Sequence, residues 1–364
     1  MTPTQTSETK NTKFRIIRQQ KSNPWLDFLA VILALVAGLL VGAGIIATSD
    51  ANVGEAFGAL FNGGFGSSKA IQKTLLEATP LIFTGLAVVI AFRGKIWNIG
   101  GEGQFFAGAM MAAWIGTTFS DLPQLILVPI IIIGAMLGGA LWAGIAGFLR
   151  ARYSINEIIV TVMLNYIILF ILSYLLQGPW RDPGSSYLQT ISFADTTYFP
   201  TLFGTRLHIG FLLALFFAFL VYLLLWKTPL GYEIRAIGIN PESAKYKGIN
   251  VTRIIIVTML LSGAMAGLGG GTELSGIHHR LRMDISSGYG FTGILVALMG
   301  QLHPLGTVLA AIFFGALTNG SYLMQIQSQV PVALVHTIQG VILFFLVIAF
   351  VLRQYRIKRV YTDE

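Results

Sequence analysis

Long apolar runs constrain this sequence more than any other feature. Runs of about 18 or more apolar residues are typical of helices that cross a membrane. Ten candidate spans can be drawn, at residues 25–48, 74–92, 103–119, 123–149, 156–177, 208–226, 252–274, 289–300, 305–320 and 334–352. The span at 289–300 is too short to cross about 30 Å of hydrocarbon, so we expect it to begin earlier, near Ile285, or to be a broken helix. The predicted fold is an all-α polytopic membrane protein with about ten transmembrane helices.

Composition excludes several function classes. Hydrophobic residues make up 54% of the chain and charged residues 11%, whereas soluble domains carry about 25% charged residues. The chain therefore cannot work as a soluble enzyme or as a nucleic-acid-binding domain, although its net charge of +8 would otherwise suggest nucleic acid. It contains no cysteine and no Walker A motif, so we expect no thiolate metal site and no ATP-binding site. No metal and no cofactor are expected on this chain.

The distribution of basic residues predicts an orientation. Residues 1–24 are polar and basic and read as a cytoplasmic tail. The alternative, a signal peptide, has an apolar region of about 7–15 residues, and the run Trp25–Thr48 is longer. With the N-terminus inside, 18 of the 24 Lys and Arg residues fall in cytoplasmic segments and 6 outside, as the positive-inside rule requires. The prediction is thus an N-in/C-in, multi-pass protein of the cell membrane.

Three regions follow from this topology. They are a cytoplasmic tail at 1–24, a transmembrane domain at 25–352 and a cytoplasmic tail at 353–364. Ten spans divide into two sets of five with opposite orientation, which is typical of transporters built from inverted repeats. We therefore expect inverted five-helix repeats.

Small residues recur at four-residue spacing in two spans. Gly134 and Gly138 form one such pair, and Gly263, Gly267 and Gly271 form two more. This pattern predicts close packing of helix backbones. The alternative is that these glycines line a transport pathway.

Polar residues at membrane depth are costly and therefore suggest function. The densest cluster joins the second and third spans, within Arg93–Gln104. Its glycines disfavour a continuous helix, and irregular backbone near a membrane survives only where it is buried in protein or lines water. The candidate pathway residues of this segment are Trp97, Asn98, Glu102 and Gln104. The alternative is a tight cytoplasmic turn.

A second polar cluster lies on the fifth span. It consists of Asn156, Glu157, Thr161 and Asn165. The last three are spaced i, i+4 and i+8 and so share one helix face. They are candidates for lining the pathway, and hydrogen bonding between helices, worth about 1 kcal/mol each, is an equal alternative.

Single polar residues occur elsewhere in the apolar spans. Glu273 is an isolated carboxylate at the outer end of the seventh span, while Asn319 and Gln339 are expected to be packing residues. Together with Glu102 and Glu157, Glu273 keeps open a secondary transporter driven by protons or sodium, because that class uses membrane carboxylates. A membrane-embedded enzyme is the other alternative, but the sequence has no metal-ligand cluster or nucleophile motif.

The longest cytoplasmic segment, 227–250, contains the signals of a short helix. Asn240 is a suitable N-cap before Pro241 at the first helical position. Glu242 adds a favourable charge to the first turn, and Gly248 is a natural stop. A helix is thus predicted at 241–247, suited to docking another protein. The alternative is a helix at the membrane surface with Lys245 and Lys247 against anionic lipid.

This segment resembles a known protein family. Gly238–Ile249 is similar to the coupling segment of ABC-importer permeases of the ribose and branched-chain amino acid type. Within that family, Phe92–Gln104, Asn156–Ile159 and Met163–Tyr166 resemble the nucleoside permeases. The resemblance implies ATPase-coupling roles for Gly238, Asn240, Pro241, Glu242, Ala244, Lys245, Tyr246 and Gly248.

The resemblance also implies an activity and partners. The chain would be a transmembrane permease subunit for nucleosides and not itself an enzyme. It would pair with a second, similar permease as a heterodimer. Two ABC ATPase subunits would bind and hydrolyse ATP-Mg below it, and a substrate-binding lipoprotein would deliver substrate outside. A sugar such as ribose, or an amino acid, remains the alternative substrate; contacts with membrane lipid are expected and contacts with nucleic acid are not.

Overall fold

The computed structural model describes residues 11–18, 24–48, 51–202 and 204–362. Helices dominate this part of the chain. In order, the elements are β1 (Asn11–Arg18), α1 (Pro24–Ala47), α2 (Val53–Phe65), α3 (Ser68–Arg93), α4 (Gly101–Thr118), α5 (Gln124–Tyr153), α6 (Glu157–Gln177), α7 (Gly210–Lys227), α8 (Pro229–Ile239), α9 (Pro241–Tyr246), α10 (Val251–Glu273), α11 (Tyr289–Met299), α12 (Pro304–Ser328), α13 (Val332–Gln354) and β2 (Tyr355–Thr362). Each of the ten predicted spans coincides with one of these helices.

The chain divides into two compact units. The smaller contains the described residues up to Val53 and from Val330 onward, and the larger contains the described residues from Gly54 to Gln329. In the smaller unit α1 packs against α13, where a Cβ at Gly38 would overlap the side chain of Ile342. Strands β1 and β2 pair antiparallel, with Asn11 opposite Thr362. Because β1 precedes α1, β2 follows α13 and the two strands pair, the start of α1 and the end of α13 lie at the same end of this helix pair.

The strand pair is an exception to the predicted all-α fold. Residues 1–24 and 353–364 were expected to be tails, yet parts of both form β1 and β2. Their pairing joins segments more than 300 residues apart along the sequence, which local sequence patterns do not reveal.

In the larger unit α3 is the central helix. Among the described candidate spans it is the most buried, and it packs against α7, α10, α11 and α12. Helix α5 packs closely on α10. The backbones are so near that a Cβ at Gly139 would overlap the carbonyl oxygen of Gly263. A Cβ at Gly267 would likewise overlap the carbonyl oxygen of Ala135. These contacts confirm the prediction that small residues bring helix backbones together.

Seven helices in the described part of the chain are long and apolar enough to cross a membrane. These are Ser68–Arg93, Gln124–Tyr153, Glu157–Gln177, Gly210–Lys227, Val251–His278, Pro304–Ser328 and Val332–Ala349. Helix α11 has 11 residues and spans about 16 Å at 1.5 Å per residue, roughly half of the hydrocarbon thickness. Helix α11 begins at Tyr289 and not near Ile285, so the first of the two expectations for the span at 289–300 is wrong, and its short length agrees with the second, a broken helix.

Candidate functional site

The irregular segment between α3 and α4, residues 94–100, is held in place by Asn98. This side chain is 2% exposed. Its Nδ2 donates to Gln104 Oε1 at 2.9 Å and to Ser262 Oγ at 2.8 Å. Its Oδ1 accepts from Gly100 N at 3.0 Å and from Gln104 Nε2 at 2.8 Å. The amide thus uses both of its donors and both acceptor positions, and it ties the segment to the start of α4 and to α10.

The predicted polar face of α6 points at the same segment. Asn165 Oδ1 accepts from Gly103 N at 2.8 Å, and its Nδ2 donates to Ile99 O at 3.0 Å. Thr161 Oγ1 accepts from Ile99 N at 3.3 Å. Both α6 side chains are buried. Hydrogen bonding between elements, one of the two expectations for this face, is therefore observed; a role in lining a pathway stays a prediction.

Glu157 lies at the end of this network that contains Trp97 and Arg150. Its Oε1 accepts from Trp97 N at 3.3 Å, and its Oε2 lies 3.3 Å from Arg150 Nε. Asn156, by contrast, is exposed and serves as the N-cap of α6, where it accepts from Ile158 N at 2.9 Å. Trp97 is also half exposed, at 49%. Of the predicted pathway residues, only these two thus reach the surface of the single chain.

Glu102 connects two helices that begin at the same place. Its Oε2 accepts from Gly290 N, in the first turn of α11, at 2.7 Å. A carboxylate is favoured there because the N-terminus of a helix carries partial positive charge. A Cβ at Gly290 would overlap the backbone of Glu102, so the starts of α4 and α11 are in backbone contact. Paired interrupted helices of this kind are found at substrate sites of transporters.

Sequence reasoning missed a neighbouring pair of residues. Tyr289 Oη donates to Glu77 Oε2 at 3.1 Å, and Thr84 Oγ1 donates to Tyr289 O at 3.0 Å. The only local signal was a carboxylate inside an apolar span. Glu273, which sequence reasoning did select, is buried and lies 3.3 Å from His278 Nε2. Asn319 has the expected packing role, since its Nδ2 donates to the carbonyl oxygens that end α2 and begin α3.

An open apolar groove lies beside the network. Its volume is about 480 Å³, within the range of small-molecule sites. It is lined by Ala107, Met110, Met111, Trp114, Gly138, Leu141, Trp142, Ile145, Ile168 and Trp180. A Cβ at Gly103 would lie 3.2 Å from Trp142 Nε1, so the groove adjoins the backbone that Asn165 holds.

Segment 227–250, predicted to be cytoplasmic, contains two helices, α8 and α9. Asn240 caps α9 and accepts from Ser243 N at 3.1 Å, so the predicted helix at 241–247 is confirmed to within one residue. Gly248 has a φ of +85°, as a stop signal requires. Helix α8 was not predicted; it begins with the Thr228 cap and Pro229 at the first position.

Most of the predicted coupling residues are exposed. Tyr246 is 91% exposed, and the neighbouring Ile239, which was not among the predicted residues, is 80% exposed, although both have large side chains. Ala244 and Gly238 are buried and hold the two helices to the larger unit. The remaining exposed members are Asn240, Pro241, Glu242, Lys245 and Gly248. We define the exposed residues of 239–248 as the α8–α9 surface; it carries both charge and an aromatic ring.

Residues 70–349 match the family described as Branched-chain amino acid transport system / permease component. The chain belongs to this family. Similar proteins include the Glucose ABC transporter permease protein TsgB13 of Haloferax volcanii, 33% identical over 92% of this chain and 90% of that protein. The Guanosine ABC transporter permease protein NupP of Bacillus subtilis is 36% identical over 89% and 94%. The Nucleoside ABC transporter permease protein NupB of Lactococcus lactis is 32% identical over 91% and 93%.

Membership of the family confirms the resemblance inferred from the sequence motifs. The chain is an ABC transporter permease and a multi-pass protein of the plasma membrane. Its relatives are named as transport permeases and not as enzymes. The helical fold of the described part of the chain, with seven long apolar helices and the short α11, agrees with that class, while the predicted count of about ten spans stays a prediction.

Proposed function

We propose that this permease is one of two transmembrane subunits of an ATP-driven importer for nucleosides. Two relatives are named for guanosine and two for nucleosides. Bacillus subtilis and Lactococcus lactis each have two such permeases among these relatives, NupP with NupQ and NupB with NupC. A second, different permease is therefore the proposed partner, and the other proposed partners are ABC ATPase subunits and an extracytoplasmic substrate-binding lipoprotein.

The proposed orientation places both chain ends in the cytoplasm. It is supported by the 18-to-6 distribution of basic residues and by the pairing of β1 with β2, because paired ends must share one side of the membrane. The α8–α9 surface then faces the cytoplasm, where an ATPase could dock. Binding and hydrolysis of ATP-Mg would belong to that ATPase. The inverted five-helix repeat stays a prediction.

In the proposed mechanism, the polar network supports the gate rather than binding substrate tightly. Asn98, Gln104, Thr161 and Asn165 are buried and hydrogen-bonded to each other or to nearby backbone. Their role would be to fix segment 94–100 and the start of α4, while Glu102 fixes the start of α11. Substrate would pass over the apolar groove beside them, between this permease and its partner. Movement of α8–α9 would open and close that passage by alternating access.

The observation that most directly supports an ATP-coupled role is the α8–α9 surface. A helix of six residues is too short to be stable on its own. Here it is capped at Asn240, anchored by buried Ala244, and presents Tyr246 to the solvent. Exposed aromatic residues of this kind are typical anchors of protein interfaces.

Uptake in a host without nucleoside transport tests the proposal. The permease would be expressed with its neighbouring ATPase, permease and binding-protein genes, with and without an ATPase-dead subunit. Labelled guanosine, uridine, ribose, glucose and leucine would be offered. We expect nucleoside uptake that disappears with the dead ATPase; uptake that survives it would contradict ATP coupling and favour an ion-coupled transporter.

A sugar is the second candidate substrate. It is favoured by the glucose permease of Haloferax volcanii, which is 33% identical over 92% of this chain, and a ribose import permease is a more distant relative. Uptake of glucose or ribose without nucleoside uptake would select this candidate and leave the permease assignment unchanged.

A further inference from the structure

Arg93 clamps a strained turn at the cytoplasmic end of the larger unit. It is the last residue of α3. Its Nε donates to Leu302 O at 2.9 Å, and its Nη2 donates to Gln301 O at 3.3 Å. These two acceptors lie in the turn between α11 and α12. Both residues have positive φ, 53° at Leu302 and 56° at Gln301. Such values are uncommon for residues other than glycine, so the guanidinium supports a conformation that the turn does not favour alone.

The same guanidinium lies over the aromatic ring of Trp226. It lies 5.1 Å from the ring of Trp226, the penultimate residue of α7, and the His303 ring lies 5.1 Å from that indole. Arg235 of α8 approaches the same indole at 6.0 Å. Burial, and then the nearby Arg93 guanidinium, lower the pKa of His303, so its imidazole is neutral near pH 7 and does not repel the two arginines.

Helix α8 also touches the backbone of Arg93. A Cβ at Gly238 would overlap the carbonyl oxygen of Arg93, and a Cβ at Gly94 would lie 3.5 Å from Ile234 Cγ2. Arg93 is therefore in contact with α8 through its backbone and with the α11–α12 turn through its side chain. The following residues, 94–100, form the segment that Asn98 and Asn165 hold.

We propose that Arg93 is a positioning residue that couples displacement of α8 and α9 to the α11–α12 turn and to the start of α4. This proposal rests on the proposed docking of α9 to an ATPase. When α8 moves, contact through Gly238 displaces the end of α3. The two hydrogen bonds to Leu302 O and Gln301 O carry that displacement to the cytoplasmic end of α11, whose other end meets Glu102.

The proposed role requires arginine rather than any cation. A guanidinium is planar, donates in two directions at once and stacks on aromatic faces. The ammonium of lysine is a compact charge without this planar fork, so it cannot reproduce both carbonyl contacts and the stack on Trp226. Lysine at position 93 keeps the charge and removes the link.

The first experiment measures transport per ATP hydrolysed in the complete transporter, reconstituted in vesicles with its partner subunits and binding protein. The variants are Arg93→Lys and Arg93→Gln, with exposed Arg152→Gln as the control of equal charge change. Typical coupling free energies between two sites correspond to changes in affinity of about 5- to 150-fold. We therefore expect guanosine uptake per ATP hydrolysed to decrease by a factor in that range in both Arg93 variants. The control should keep the wild-type ratio. A wild-type ratio in Arg93→Lys and Arg93→Gln would overturn the proposal.

The second measurement detects the movement itself. The sequence contains no cysteine, so spin labels can be attached at Tyr232→Cys on α8 and Leu305→Cys on α12, both exposed positions. With Arg93 present, we expect the distance between the two labels to be the same with and without ATP, because α8 and the α11–α12 turn move together. With Arg93→Gln, the distance should change on addition of ATP. The same ATP response in both backgrounds would overturn the proposal.

A variant on α9 separates this inference from the proposed function. If Tyr246→Ala lowers uptake per ATP and Arg93→Gln does not, α9 docks as proposed and Arg93 is not the link. If neither variant changes the ratio while uptake depends on the ATPase, α8–α9 is not the coupling surface, and the inference about Arg93 fails with it.

Discussion

In the proposed orientation, the larger unit has an outer end and an inner end, which are built differently. At the outer end, the segment between α6 and α7 pairs with the segment between α10 and α11 through backbone hydrogen bonds of residues 190–199 with residues 275–281. Thr190 N donates to Leu281 O at 3.1 Å, and Phe199 N donates to Ser275 O at 3.0 Å. Thr196 adds a side-chain bond to Ser120 O, at 2.9 Å, in the turn that follows α4. This outer segment is thus fixed at several points along its length.

At the inner end, α8 and α9 expose the large side chains of Ile239 and Tyr246, and in the described part of the chain the backbone hydrogen bonds of residues 229–246 are local. Of the six residues of α9, only Ala244 is buried. Helix α8 contacts the rest of the unit through buried Gly231, Ile234, Ile237 and Gly238 and through Arg235, which lies 6.0 Å from the ring of Trp226. Elements with few buried contacts open and move at lower free-energy cost than elements with many. Because distant residues hydrogen-bond to the outer segment and α9 has few buried contacts, we expect α8 and α9 to move more readily than the outer segment.

Replacing the exposed aromatic residue of α9 is expected to have the largest effect. Tyr246→Ala should lower ATP-dependent uptake by about 10- to 30-fold, because truncating an interface anchor costs about 2 kcal/mol. Tyr187→Ala is the matched control, since Tyr187 is a 77% exposed tyrosine of the outer segment. Uptake with each variant in the complete transporter provides the measurement. An equal decrease in uptake for the two variants would contradict a special role of the α8–α9 surface relative to the outer segment.

Removing the Asn98 side chain, which holds segment 94–100, is expected to lower the free energy of unfolding. Asn98→Ala removes the partners of Gln104 and Ser262, so the free energy of unfolding should fall by about 2 kcal/mol. Thermal unfolding in detergent measures this change, with exposed Asn62→Ala as the control. An Asn98→Ala protein as stable as the control would mean that segment 94–100 does not depend on these hydrogen bonds.

Acid should loosen the outer end selectively. His208 is 1% exposed, its Nδ1 accepts from Gly210 N at 3.0 Å, and burial lowers its pKa to about 4. Because the pKa of His208 is lower in the folded state than its unfolded value of about 6.5, the unfolded state binds a proton more readily. The free energy of unfolding is therefore highest above pH 6.5 and decreases as the pH falls towards 4. At pH 5 the loss should be about 2 kcal/mol.

Hydrogen exchange of residues 189–209 between pH 7 and pH 5, corrected for the intrinsic rates, tests this expectation. Exchange should rise relative to that of α9, a helix without histidine. In His208→Gln the pH-dependent difference should shrink. A difference of unchanged size in His208→Gln would assign the acid response to another group.

Local patterns in the sequence predicted much of the architecture. The helices at the ten predicted spans follow from apolar run length, and the start of α9 follows from Asn240 and Pro241, because these signals are local in the sequence. The polar face of α6 follows from the spacing of Glu157, Thr161 and Asn165. The pairing of α5 with α10 was less specific: their glycines predicted close contact but not which helices meet.

Features that depend on distant residues were not predicted. Glu77 and Tyr289 are 212 positions apart, and Arg93 and Leu302 are 209 apart, so no local signal connects them. Helix α8 was missed because its mixed sequence was assigned to a loop. Burial of most of the predicted pathway residues within one chain also depends on tertiary packing, and their contact with substrate stays a prediction.

Hydrogen exchange with and without the ATPase subunits tests the central claim most directly. The permease pair would be measured in lipid nanodiscs before and after the ATPase is added, and again with ATP. The account predicts protection of residues 229–246 on addition of the ATPase and a further change with ATP, with unchanged exchange at residues 189–199. Unchanged exchange at 229–246, or an equal change at both ends, would contradict it.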